Sequence, residues 1–320
     1  MSTRALREHL AAGGSALLDL NARAKFRLSG SDRVRYLNGQ VSSDIRKLGQ
    51  HEARPACVMT AKGKMNGLIW VLAAGEALQI DVEEELRESL SMRLERYIIA
   101  DDALLDDVTE EQGLAHLLGF AGLPEGGALP DGATGYRSRR FGAEGIDIIG
   151  PRDALALLAR GEGAIFKFLQ AASGAAAAGQ SAGVFPVDTE TAEVLRIECG
   201  IPLWGRELDE NTIPVEAGLE KETIDYHKGC YIGQEIISRI KSIGRVNRNL
   251  CGFALSAPLE PGTRLLDGEK EAGVLTSVAW SDALEATIAL GYLRRGTEST
   301  KLRGPGAVEA ETRPLPFLAL

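Results

Sequence analysis

The sequence predicts a mixed α+β chain ending in a small β-barrel or sandwich, and three observations predict it. The 320 residues exceed a typical domain of roughly 100–200 residues, so two or three packed units are expected. Before Gly244, short apolar β-type runs alternate with stretches of helical periodicity, the pattern of an α+β or α/β unit. Beyond it, the runs "RNLCGFALS", "AGVLTSVAWS" and "ATIALGYL" are separated by Pro261-Gly262, Asp267-Gly268 and Ser281-Asp282. Short strands at near-regular spacing favour a compact β unit.

The elements follow in order. "AKFRLSG" (24–30) reads as a strand, and "SDRVRYLNGQVSSDIRKL" (31–48) as a helix that Ser31 or Asp32 is positioned to cap. In 53–82, apolar β-favouring runs flank a turn at Lys62-Gly63-Lys64. "EEELRESLSMRLERYI" places Leu86, Leu90, Leu94 and Tyr97 at helical spacing with charges between them. Residues 121–136 form a Gly/Pro-rich loop; "AASGAAAAGQSAG" (171–183) reads either as a flexible crossing or as an ordinary helix end. The expected organisation is therefore 1–244, with a soft boundary near 171–183, followed by a C-terminal β unit over 245–320.

The net charge of −9 argues against a protein that coats a nucleic-acid backbone, which needs a clustered Lys/Arg surface. No apolar run approaches the roughly 18 residues of a membrane span. Cys57, Cys199, Cys230 and Cys251 form neither a C-x-x-C pair nor a close Cys/His cluster, so no metal site or disulfide framework is indicated and a reducing compartment fits. The N-terminal stretch has no continuous apolar segment and carries Glu8, which reads as part of a mature cytoplasmic protein.

The most informative stretch is "KGCYIGQE", Lys228 to Glu235. After it, Ile232, Ile236, Ile237, Ile240 and Ile243 share one face of a helix period, which sets Cys230 just ahead of a helix start. There the helix dipole and the nearby charge of Lys228 would favour the thiolate, and Gly229 and Gly233 would let a ligand approach. The alternative is a small buried cysteine with turn glycines. Upstream, "LRIECGIPLWGREL" puts Arg196 and Glu198 two apart, on one face if extended. Glu198 then either pairs with Arg196 or accepts hydrogen bonds from an amino-pyrimidine such as a pterin. Lys228, Arg239, Lys241, Arg245 and Arg248 form either a solvated basic face or a docking surface.

These segments, in order, resemble the family that contains the glycine-cleavage T-protein and the YgfZ branch of folate-binding iron–sulfur assembly factors. "FRLSGSDRVRYLNGQVSSDI", "LRIECGIPLWG", "KGCYIGQE", "GVLTSVAWS" and "IALGYL" carry the likeness along nearly the whole chain. "KGCYIGQE" matches the K-G-C-x-x-G-Q-E signature of the YgfZ branch at every fixed position. The resemblance implies a ring of interwoven ferredoxin-like and folate-binding units plus a C-terminal β-barrel, around a central hole that takes tetrahydrofolate or a one-carbon derivative. It implies that Glu198 holds the pterin, and that Cys230 with Lys228 forms the functional centre. Arg196, Tyr231, Gly229 and Gln234 are expected beside the folate. The expected partners are folate and iron–sulfur client enzymes or assembly proteins, with no direct nucleic acid and no membrane.

One departure cuts against the T-protein reaction. Asn66 and Gly67 stand where the T-protein has carboxylates, and neither an amide nor a hydrogen supplies a general base. The expected function is support of iron–sulfur cluster assembly or repair, with tRNA-modifying enzymes among the clients. The alternative is a folate-dependent one-carbon transferase or demethylase using another carboxylate, with Asp44, Asp81 and Glu198 as candidates by residue type.

Overall fold

A computed structural model of the chain describes residues 1–120, 122, 124, 127–173 and 183–320. Parts of the expected loop at 121–136 and most of the 171–183 stretch lie outside the described residues.

The first half contains α1 (Thr3–Ala11), β1 (Ser15–Asp19), β2 (Ala24–Ser29), α2 (Arg33–Gln40), β3 (Ala53–Met59), β4 (Met65–Ala74) and β5 (Ala77–Val82). Then come α3 (Arg87–Glu95), β6 (Leu104–Asp107), β7 (Gln112–Leu118), β8 (Thr134–Ser138) and β9 (Gly145–Pro151). The helical stretch that follows holds α4 (Arg152–Ala159), α5 (Gly163–Ala172), β10 (Val184–Val187), α6 (Thr189–Glu198), α7 (Glu220–Thr223) and α8 (Gln234–Ile243). The chain finishes with β11 (Arg248–Leu255), β12 (Arg264–Asp267), β13 (Lys270–Ser281), β14 (Ala286–Arg294), β15 (Lys301–Arg303) and β16 (Glu309–Arg313).

The strands sort into two five-stranded sheets and a closed barrel. One sheet runs β3-β4-β5-β2-β6 and the other β10-β1-β7-β9-β8. Because β1 precedes the first sheet but belongs to the second, the two units interleave in sequence. Alternation along β2 and β5 pairs Phe26 with Ile80 and Leu28 with Leu78, whose side chains face a core completed by Leu37, Leu86 and Leu90. The barrel closes in the order β11-β14-β13-β12-β15-β16, which resolves the barrel-or-sandwich alternative and leaves no free sheet edge. The mixed fold with its C-terminal barrel is the one the sequence predicts.

Local differences have simple causes. The helix expected over 31–48 stops at Gln40; Val41 is extended and bridges to Val58. Neither Ser31 nor Asp32 caps it. The Ser31 hydroxyl donates to Asp102 Oδ2 (2.7 Å), and Asp32 Oδ2 accepts from the Asp102 amide (2.9 Å), so both are committed to the neighbouring loop. Leu86, Leu90 and Leu94 are buried as their period requires, whereas Tyr97 lies past the end of α3 and is exposed.

The two sheets are joined by ions as well as by apolar contact. Arg140, just beyond β8, donates to both oxygens of Asp81 on β5, with Nη1 to Oδ1 at 3.0 Å. Its Nε lies 2.8 Å from each oxygen of Asp147 on β9. Arg23 binds Asp81 from the other side, and His116 Nδ1 is 2.7 Å from Asp147. Burial alone would raise the Asp147 carboxyl, but the charge of Arg140, with His116, holds it well below the usual carboxylate range. Asp81 is therefore not a free acid or base, which corrects its candidacy by residue type.

Removing one member of a buried ion triad leaves the others uncompensated. Arg140→Met is expected to cost about 3–5 kcal/mol for that reason. Urea denaturation checks it: the midpoint should fall with the slope unchanged.

Candidate functional site

A cavity of about 990 Å³ opens where the two sheets meet the barrel. On β4, Ile69 and Val71 face the core of the first sheet, and the alternate residues Leu68 and Trp70 line the cavity. From the second sheet come Arg137, Arg139 and Arg140. The Arg140 guanidinium sits 4.6 Å from the Trp70 ring centroid, so the ion triad also holds the indole in place. Cys199 to Pro202, directly after α6, form a further wall, and the segment Ala217–His227 closes the cavity opposite the sheets.

Glu198 and Arg196 do not meet. The stretch that carries them is helical, not extended, so residues two apart point to different sides. Glu198 is fully buried and accepts from Thr3 Oγ1 (2.7 Å), Ser281 Oγ (2.6 Å) and Arg7 Nε (2.9 Å). Its oxygens tie α1 to the barrel and do not line the cavity. Arg196 donates to Glu193 (2.7 Å), Glu207 (3.0 Å) and Ser277 Oγ (2.7 Å), fastening α6 to β13. Both the salt bridge between them and a direct pterin contact by Glu198 are thereby corrected. The pair fixes the end of the helix from which the cavity wall departs. Cys199 lines that wall, and burial pushes its thiol up to about 11.

The "KGCYIGQE" segment is divided between inside and outside. Lys228 is buried, and its ammonium donates to the carbonyls of Asn38 (2.7 Å), Val41 (2.7 Å) and Ser43 (2.6 Å). Burial pushes it down to about 8. It anchors the segment to the loop after α2, which corrects the expectation that its charge serves the thiol. Cys230 is exposed, lies four residues before α8 and does not line the cavity. A side chain at Gly229 would meet open space, so nothing crowds the backbone there. Gly233 differs: at φ +91° it precedes α8, and a Cβ would meet the Thr60 carbonyl oxygen at 2.8 Å. Tyr231 is buried among Cys57, Met59 and Leu219, its hydroxyl unpartnered among the described residues. Gln234 opens α8, half-buried.

Carboxylates at the cavity are mostly engaged. Glu52 pairs with Arg54, Glu144 with Arg139 and Asp225 with Lys47, whereas Glu222 on α7 has no ion pair among the described residues. Asp44, the remaining candidate by type, is held by Arg46 at 2.8 Å, and its carboxyl is lowered to about 2 by that hydrogen bond. Gly67 points at Leu86, Asn66 falls at the register shift between β3 and β4, and neither lines the cavity. Among the described residues no group of three or more His, Cys, Asp or Glu could hold a metal ion, and no helix is long and apolar enough to cross a membrane. Sequence reasoning missed Trp70, Arg137, Arg140 and Glu222. Only the arginine-rich "YRSRR" offered a signal; Trp70 reads as one apolar residue in a strand.

Residues 248–317 match the model of the Glycine cleavage T-protein C-terminal barrel domain. The C-terminal barrel is similar to that T-protein domain. The chain also shares its fold with the glycine cleavage system aminomethyltransferase T from Bartonella henselae, at TM-score 0.78 over 98% of this chain and 89% of that one, with 20% identity. An aminomethyltransferase of Rubrobacter xylanophilus is 29% identical over 95% of this chain and 83% of its own length. A chloroplast protein of Arabidopsis thaliana that carries the name of a transferase is 28% identical over 89% of this chain and 67% of its own length. The likeness is thus to the T-protein-like aminomethyltransferases, and these names do not set a YgfZ branch apart.

Two outcomes test the segment. Lys228→Met leaves three buried carbonyls without their donor and is expected to lower stability by about 1–3 kcal/mol at pH 7. The lysine binds its proton less tightly in the fold, at about 8 against an ordinary 10.5, so between those values the unfolded chain holds more protons. Wild-type stability relative to the variant should therefore rise with pH across that window, as read by denaturation at several pH values. In native thiol labelling, Cys230 should react first, since Cys57 is buried and Cys251 is half-buried with its thiol pushed up to about 12. Cys230→Ser should remove the fast phase.

Proposed function

We propose that the chain binds a reduced folate in the central cavity and supports assembly or repair of iron–sulfur clusters in client enzymes, with Cys230 as its working thiol. The cavity supports the folate reading most. Its volume suits a ligand of this size, Trp70 and Leu68 offer surface to a flat ring, and Arg137, with no ion pair among the described residues, offers charge to carboxylates. A reduced folate, when bound, supplies a carried one-carbon unit. Glu198 and Arg196 serve as positioning residues for the wall at Cys199–Pro202, and Tyr231, Gly229 and Gln234 as the frame that presents Cys230. The neutral Asn66 and Gly67, where the T-protein resemblance leads one to expect carboxylates, weigh against aminomethyl transfer of the T-protein kind.

The engaged state of most carboxylates points the same way, but Glu222 favours a second reading, a one-carbon transferase or demethylase. Its carboxylate borders the cavity without an ion pair among the described residues, as a general base would require.

Titration of the purified chain with tetrahydrofolate tests the first part. Saturable binding is expected, weakened roughly tenfold or more by Trp70→Ala and unchanged by Cys230→Ala. Absence of saturable binding would overturn it. In a deletion strain, iron–sulfur enzyme activity should be restored by the wild-type gene and not by Cys230→Ala; full restoration by the variant would remove the thiol from the mechanism. Methylene-tetrahydrofolate formed from an amine donor, and lost in Glu222→Gln, would favour the transferase reading.

A further inference from the structure

We infer that the outward flank of α8, beside Cys230, is the docking surface for an acidic protein partner. Helix α8 spends little of its apolar face on its own fold: Ile237 is buried, Ile236 and Ile240 are half-buried, and Ile243 is 55% exposed. At 100° per residue, Ile236, Ile240 and Ile243 share one flank, next to Arg239. The turn at Lys62-Gly63 lies against Ile236 and extends the same patch.

The charge of this surface runs against the chain. Between Tyr226 and Arg248, apart from the buried Lys228 and the Glu216-paired Arg248, one carboxylate, Glu235, stands against Arg239, Lys241 and Arg245, in a protein of net charge −9. Lys62, Arg239, Lys241 and Arg245 have no ion pair among the described residues, although most basic side chains elsewhere find a carboxylate. Lys241 instead lies 3.4 Å from the centroid of Tyr226. An apolar strip rimmed by uncommitted cations complements a helix or loop that presents apolar residues beside Asp and Glu. The single glutamate, the isoleucines and the overall acidity argue against nucleic acid. The exposed thiol of Cys230 lies four residues before this helix. This names the partner class for Cys230 and rests on the assembly reading only in that respect, because Ile236, Ile240 and Ile243 do not line the cavity.

The test uses the purified full chain and two labelled amphipathic peptides of identical leucine pattern, one with glutamates and one with lysines on the polar face. Fluorescence anisotropy should register binding of the glutamate peptide alone, weakened by added salt. Arg239→Glu with Arg245→Glu, and separately Ile243→Asp, should each weaken it roughly tenfold or more while leaving the melting temperature and the tetrahydrofolate titration unchanged. Equal binding of both peptides, binding indifferent to the charge reversal, or sedimentation of the chain with anionic lipid vesicles would overturn the inference. So would a loss of melting temperature in Ile243→Asp, which would make the strip part of the core, or a dimer that the same substitutions dissociate. Loss of folate binding in wild type with peptide binding intact would overturn the folate reading and leave this one standing.

Discussion

Arg140, held between Asp81 of one sheet and Asp147 of the other, is the constraint on which the remaining architecture depends. Its guanidinium makes four hydrogen bonds to two fully buried carboxylates and covers Trp70. A buried ion triad of this kind is weak evidence for net stability, since desolvation offsets much of the attraction. Its value is geometric. An apolar replacement would tolerate sliding between β5 and β9, whereas a fork that must satisfy both carboxylates admits one relative placement. Because the cavity lies along this seam, its shape is set by the same placement.

The barrel is fixed to the sheets by a second polar layer with the same logic. Glu198 gathers α1, α6 and Ser281, and Glu207 gathers Arg196, Thr276 and Ser277 at 3.0, 2.7 and 2.6 Å. Tyr292 adds a hydrogen bond from the barrel wall to the Glu207 carbonyl (2.8 Å). The carboxylates of the "LRIECGIPLWGREL" stretch are thus spent on assembly of the three units. The cavity lining comes instead from β4, from β8 and the arginines just beyond it, and from the segment before "KGCYIGQE".

The fold was legible because it rests on periodicity. Two-residue alternation in β2 and β5, the Leu86/Leu90/Leu94 stripe and the turn pairs after Gly244 are local signals, and each element forms where they stand. The ends were less legible. Ser31 and Asp32 have the chemistry of helix caps, yet Asp102, some seventy residues on, claims both. The site was legible as a set of segments but not as contacts. Sequence distance makes Arg196 and Glu198 neighbours, whereas the helix turns them apart. Arg140 and Trp70 became a unit only through the junction of two sheets, which no local pattern encodes.

The wall between Tyr226 and Tyr231 brings these threads together. Tyr226 and His227 line the cavity, Lys228 is drawn inward to three carbonyls, and Cys230 emerges on the outer surface within four residues. A nucleophile acting on a cavity ligand would have to face that ligand at reacting distance. An exposed thiol that does not line the cavity answers a different demand: it meets what arrives from solvent. Lys241 spans the two sides, its charge over the same Tyr226 ring that lines the cavity. Any anion that draws Lys241 off the ring removes a cation–π contact from the cavity wall. The α8 surface and the cavity therefore share one aromatic side chain, Tyr226.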